Sequence, residues 1–274
     1  MTKTWMITGT SSGFGKELAQ VVAKQADTNL VATARKEADL AYLDAFDATR
    51  VAKVIMDVTN EEQVQAGVTA AKDKFGGIDV LVNNAGLGYF GTIEESNEKD
   101  VRQMFEVNVF GLGNVTKSVL PIMRSQKQGV IVNISSALGV TSLPTLGWYS
   151  ATKFAVEGYS NALRQEVAPL GIQVMNVEPS GARTKWNAGK TAPVEIADYS
   201  KFAGMVDGAS NGVTQAPGSP ELIAQTIFGM VTDNKIVPEH LPLGTFATDG
   251  IKKELTNTLK DVDKYHDISV GIDQ

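Results

Sequence analysis

Six short runs rich in Val, Ile, Thr and Ala recur along the chain, at 4–8, 29–33, 51–56, 78–83, 130–135 and 172–177. Between them apolar residues return at helical spacing over 15–24, 61–75, 99–124 and 149–168, and Pro169 and Gly171 close the last of these. Short β-rich runs alternating with longer helical ones predict an α/β fold, with helices covering both faces of a parallel sheet. Crossovers of this length suit right-handed βαβ units. The expected architecture is one three-layer α/β/α domain over residues 1–274, with a doubly wound parallel sheet of about seven strands. After Pro179 the pattern changes. Residues 180–218 are dominated by Gly, Ala, Ser, Thr and Pro, which predicts an irregular insertion serving as a substrate loop or lid, before helical spacing resumes at 221–232.

Composition narrows the function. A chain of 274 residues with 43% apolar and 20% charged residues can bury one large core. Its net charge of -6 and the absence of any Lys/Arg block oppose nucleic-acid or anionic-membrane binding. Without cysteine it has no thiolate nucleophile, disulfide or Cys-based zinc site, and two histidines, His240 and His266, are too few for a His-rich metal centre. No metal is expected. The N-terminus lacks the pattern of a signal peptide, and no apolar run reaches the ~18 residues of a membrane span, so the expectation is a cytoplasmic protein with small neutral or hydrophobic partners.

The first strand leads straight into Thr8-Gly9-Thr10-Ser11-Ser12-Gly13-Phe14-Gly15, and a helix follows. Glycines at a strand-to-helix turn let backbone N–H groups approach a pyrophosphate, whose charge the helix N-terminus favours. The candidate cofactor ligands are therefore Gly9, Ser11, Ser12, Gly13, Phe14 and Gly15. With its T-G-x-x-x-G-x-G spacing, the chain resembles the short-chain dehydrogenases/reductases, in the branch that includes 17β-hydroxysteroid-type and retinol-type dehydrogenases. The resemblance runs nearly end to end and implies a Rossmann-like fold. It also implies that Asn84, Ala85 and Gly86, in the N-N-A-G segment after strand four, lie beside the cofactor, and that Asp57 and Val58 after strand three contact the adenine. Asn and Asp are also common capping residues. At the end of strand two, Ala34-Arg35-Lys36 offers no carboxylate until Glu37. An acidic residue there would accept from the ribose 2′-hydroxyl, whereas Arg35, helped by Lys36, can pair with a 2′-phosphate. NADP(H) is thus expected over NAD(H), which remains possible.

Tyr149 and Lys153 stand four residues apart, a spacing that sets a phenol beside an ammonium on one helix face. A neighbouring positive charge favours the phenolate and lowers the tyrosine pKa. The family resemblance makes this pair a proton-transfer device. It adds Ser136, thirteen residues upstream, in preference to the adjacent Ser135, which strand alternation would turn the other way. Asn108 completes the tetrad. The resemblance implies that Tyr149 donates the proton, Ser136 orients the carbonyl, Lys153 lowers the tyrosine pKa and binds the nicotinamide ribose, and Asn108 holds a water linking Lys153 to solvent. Pro179 and Thr184 are implied near the nicotinamide. The chain carries Pro179-Ser180-Gly181 where the family usually has Pro-Gly, which puts the local turn in doubt.

The expected substrate wall comprises Tyr89, Ser136, Leu138, Trp148, Ser180 and Trp186, a largely apolar set that favours a hydrophobic or alicyclic ketone or alcohol. The resemblance further implies a homodimer or homotetramer through the helices carrying Asn108 and Tyr149. A cofactor-binding sensor without turnover, or an epimerase of the extended relatives, are the competing readings.

Overall fold

The computed structural model describes residues 2–184, 190–193, 195–206, 216–233 and 235–273. Its strands are β1 Lys3–Ile7, β2 Thr28–Ala34, β3 Val51–Ile55, β4 Val80–Asn83, β5 Tyr89–Phe90, β6 Gly129–Ile134, β7 Ile172–Pro179, β8 Lys190–Thr191 and β9 His240–Leu243. Seven of them form one sheet in the order β3-β2-β1-β4-β6-β7-β9, and every neighbouring pair is parallel. The order reverses between β1 and β4, the switch point at which open α/β sheets bind ligands outside the carboxyl ends of their strands.

Alternation along the strands builds a core on each face. Trp5 and Ile7 of β1, Val80 and Val82 of β4 and Val132 of β6 pack on one side with α1 (Gly13–Lys24) and α6 (Pro220–Thr232). Met6, Leu81 and Ile131 point the other way, against α2 (Glu61–Phe75), α4 (Leu112–Gln126) and α5 (Gly147–Val167).

The structure departs from the sequence expectation in three places. The helix expected over 99–124 is broken: α3 (Glu98–Phe105) passes into a π-helical turn, Glu106–Gly111, before α4 begins. The seventh strand is β9, whose proline and short length hid it. The 180–218 region is not wholly irregular either. Its β8 pairs with β5, the turn Ala197–Phe202 is helical, and Ala182 bridges to Gly218. A further helix, α7 (Thr245–Lys264), follows β9, and the short α8 (His266–Val270) ends the described chain.

Candidate active site

The carboxyl ends of the strands open into a cavity of about 720 Å³ that runs from the glycine turn to Tyr149. The turn is shaped by backbone that suits glycine. Gly9 sits at φ +68°, and a Cβ there would come within 2.8 Å of Ala85 Cα. Asn84 explains this close approach: its Nδ2 donates to Thr8 O and Gly9 O, both at 2.9 Å, while Thr8 Oγ1 accepts from Asn84 N. The Ser12 side chain makes no cap bond at the start of α1, and no acidic residue lies in its first turn. First-turn N–H groups at this helix end suit a phosphate.

Gly9, Ser11, Ser12, Gly13, Phe14, Arg35, Asp57, Val58, Asn84, Ala85, Gly86, Pro179 and Thr184 line the cavity as expected. A Cβ on Gly86 would stand 4.0 Å from Lys153 Nζ, so the glycine leaves room beside the ammonium. These features fit an extended dinucleotide: a cradle for its phosphates at one end and Lys153 at the other. Gly15 and Lys36 do not line the cavity: Gly15 packs behind the wall, where a Cβ would meet Asn84 Nδ2 at 2.3 Å, and Lys36 is exposed on the turn beyond β2.

At the far end, α5 and the end of β6 bring Tyr149, Lys153 and Ser136 together. The Tyr149 hydroxyl hydrogen-bonds Ser136, whose Oγ also accepts from Leu138 N at 3.1 Å. Lys153 Nζ donates to Ile134 O at 2.7 Å and lies 5.8 Å from the centre of the Tyr149 ring. Both groups are buried, and burial disfavours whichever form is charged. The phenol is therefore pushed above its ordinary range, with the Ser136 bond pulling back, and the ammonium is lowered to about 8, with Glu157 opposing the fall. Desolvation is therefore the dominant influence on the Tyr149 phenol and raises it despite the ammonium beside it. Ser135 also lines the cavity, but its Oγ is buried without a hydrogen-bond partner among the described residues.

Asn108 sits in the π turn, buried, and acts as a brace. Its Oδ1 accepts from Leu87 N at 2.7 Å, and its Nδ2 donates to Leu87 O and to Thr152 Oγ1, each at 3.0 Å. With both amide hydrogens committed, the side chain ties the loop after β4 to the helix of Lys153 and does not line the cavity.

Two expected substrate contacts are also corrected. Tyr89 is buried in a small cluster with Val101 and Met104, and its hydroxyl accepts from Asn97 N at 2.7 Å. Trp148 packs edge-on against Phe105 at 6.5 Å. Neither lines the cavity; Phe90 does. Leu138 and Ser180 line it as expected, and Trp186 lies outside the described residues. Sequence reasoning missed Phe246, at the start of α7, although it follows a strand end where ligand contacts gather.

A family model described as short chain dehydrogenase matches residues 3–195. The oxidoreductase calM of Penicillium decumbens is 35% identical over 281 residues, spanning 97% of this chain and 91% of that protein. A short-chain dehydrogenase from Streptomyces avermitilis, solved by crystallography, is 34% identical with a TM-score of 0.90, over 100% of this chain and 99% of that one. A short-chain dehydrogenase/reductase from Burkholderia phymatum in complex with NAD is 27% identical, with a TM-score of 0.79 over 92% of each chain. These relatives identify an oxidoreductase that acts on CH–OH or C=O groups with a nicotinamide cofactor, and the cleft from the glycine turn to Tyr149 is the place for that chemistry. This chain belongs to the short-chain dehydrogenase/reductase family.

Proposed function

We propose that the protein is an NADP(H)-preferring reductase of hydrophobic or alicyclic ketones, also able to oxidise the corresponding secondary alcohols. The observation that carries this is the hydrogen-bonded Ser136–Tyr149 pair set beside apolar walls from Phe90, Leu138, Leu143, Leu146 and Phe246. Arg35 supports the cofactor preference. It is exposed on the cavity rim just after β2 and has no ion pair or hydrogen bond among the described residues, so its guanidinium is available to a 2′-phosphate.

When bound, the nicotinamide supplies the hydride for the carbonyl carbon. Tyr149, kept protonated by burial, donates its proton to the carbonyl oxygen as charge develops there. Ser136 holds that oxygen next to the phenol, which supplies position and charge stabilisation together. The Lys153 ammonium stabilises the phenolate left behind and is placed to hold the nicotinamide ribose hydroxyls. Asn108 keeps the Lys153 helix in register with the loop after β4. None of these groups has been lost, which favours turnover over a sensor role.

Following nicotinamide absorbance with a panel of ketones, aldehydes and alcohols tests this reading; absence of turnover on every carbonyl would sink it. Arg35→Glu should reverse the preference for NADPH over NADH in kcat/KM, by about 10-fold or more for loss of one charged phosphate contact. An unchanged ratio would remove Arg35 from the assignment. The same reading includes a symmetric dimer. Phe154, Gly158 and Ala162 of α5 and Phe110 of the π turn are exposed on the outer helix faces, and light scattering that returned a monomer would overturn it.

A further inference from the structure

Helix α7 leaves the body of the molecule after its first turns. Its start is tied to the cleft: Ala247 is buried, its N–H donates to Ser180 Oγ at 2.8 Å, and Phe246 lines the cavity wall. Ala247 is also the one buried residue of the helix. Ile251 is half-buried, and every residue from Lys252 to Asp273 is exposed. That exposed stretch is not polar all round. Ile251, Leu255, Leu259 and Val262 recur at steps of four, four and three, which sets them in one narrow stripe along the helix. Leu255, Leu259 and Val262 are 57%, 60% and 58% exposed. Lys253, Asn257, Lys260 and Lys264 occupy the opposite face.

Local interactions do not account for so long a free helix. From Lys252 to Lys264 it is close to the ~12–15 residues below which isolated helices are marginal in water. Thr256, Asn257, Thr258 and Val262 within it are weak helix formers. No ion pair lies within α7 among the described residues. Its last turn sets Asp261 and Asp263 beside Lys264, although the helix dipole favours cations there. Helices draw most of their stability from packing an apolar face, and a stripe this narrow is the width of a two-helix seam.

The charges beside the stripe point to a second copy of this chain as its cover. Lys252 follows Ile251 and Asp263 follows Val262, so the two charges border the same side of the stripe near its opposite ends. When two copies lie antiparallel with Leu255 of each against Leu259 of the other, Ile251 meets Val262 of the second copy and Lys252 meets its Asp263. Two-fold symmetry forms each of these contacts twice. Glu254 and Asp261, bordering the other side, stand farther round from the stripe. An anionic membrane is a poor cover, because Asp261, Asp263, Asp267 and Asp273 outnumber Lys264 along the end of the chain.

We propose that α7 is a self-association helix, pairing antiparallel with α7 of a second copy through Ile251, Leu255, Leu259 and Val262, with Lys252–Asp263 ion pairs at both ends of the seam. This interface is separate from the outer face of α5 and does not depend on the reductase reading.

Light scattering on the full-length protein after size exclusion tests it. Leu255→Lys combined with Leu259→Lys should halve the native mass, from two chains to one, or from four to two if the α5 faces pair as well. Both side chains are exposed in the single subunit, so its fold should survive the change. A multi-chain mass that these substitutions leave intact would assign the assembly to another face and overturn the proposal alone. A single-chain mass for the native protein would overturn it too, and co-sedimentation with phosphatidylcholine–phosphatidylserine vesicles would then identify a lipid cover. Charge exchange tests the antiparallel direction. Lys252→Asp and Asp263→Lys should each weaken self-association by about 10-fold in Kd, the scale of two exposed ion pairs, and the two together should restore it. Losses that add in the double variant would exclude the antiparallel pairing. If the leucine substitutions prevent folding, this charge exchange decides the matter.

Discussion

Desolvation shapes the chemistry at the scale of single residues. A phenol held above its ordinary range stays protonated at neutral pH and is ready to act as an acid. Removing it in Tyr149→Phe should lower kcat for ketone reduction by about 10³-fold, the scale of general acid catalysis, while fluorescence titration shows NADPH binding unchanged. The Lys153 ammonium is charged below about 8, so turnover should fall as pH rises through that value. A pH–rate profile flat from neutrality to well above 8 would contradict this. The meeting of Ser136, Tyr149 and Lys153 was legible because they stand at fixed spacings along a strand end and one helix face. Tyr89 and Trp148 were misassigned because an aromatic residue near a site reads the same in sequence whether it faces a ligand or a core. Only the bond from Asn97 to the Tyr89 hydroxyl and the edge-on packing of Trp148 on Phe105 separate the two cases.

The elements place these residues through a few close contacts. Gly15 begins the working part of α1 and lies so near Asn84 that a Cβ would reach 2.3 Å from Nδ2 and 2.6 Å from Gly9 O. Gly15→Ala should therefore displace the loop after β4, costing about 1–3 kcal/mol in urea unfolding, the range for overpacking, and weakening dinucleotide binding. Wild-type stability in that variant would show that the loop yields freely. The π turn around Asn108 serves a comparable purpose on the other side of the cleft, since the extra backbone residue sets the side chain toward Leu87 and Thr152. Periodicity over 99–124 could not show this, because one inserted residue shifts the apolar face without interrupting it. Strand β9 was hidden for a different reason. Four residues containing a proline carry little strand signal, yet at the sheet edge β9 brings the start of α7, with Phe246, to the site.

Over the whole molecule, the parallel sheet with its reversal between β1 and β4 was readable from the alternation of elements, and it fixes where the cleft must lie. The buried charges set into that frame were not readable, because Glu157, Glu178 and His240 are brought together only by the fold. They should leave a signature in stability. Glu178, raised to about 7, binds more protons in the folded state than in the unfolded one between its ordinary value and 7, so its contribution to stability is lost as pH rises through that window. Lys153, lowered to about 8, has the opposite bookkeeping: the unfolded chain binds more protons above 8, so stability recovers as pH climbs toward the ordinary lysine range. Glu178→Gln should flatten the acid-side loss, worth about 2 kcal/mol between pH 5 and 7 in urea unfolding, with wild type and variant compared directly. Parallel curves for the two proteins would exclude a stabilising proton on Glu178.

The central claim is hydride exchange between NADP(H) and a hydrophobic carbonyl, with Tyr149 as the proton donor. Its most direct test follows nicotinamide absorbance while wild type and Tyr149→Phe are mixed with NADPH and a series of alicyclic and long-chain ketones. The account predicts NADPH consumption matched by alcohol formation in the wild type and near-complete loss in the variant despite intact cofactor binding. Consumption that persists in Tyr149→Phe, or its absence from the wild type across the whole series, would contradict it.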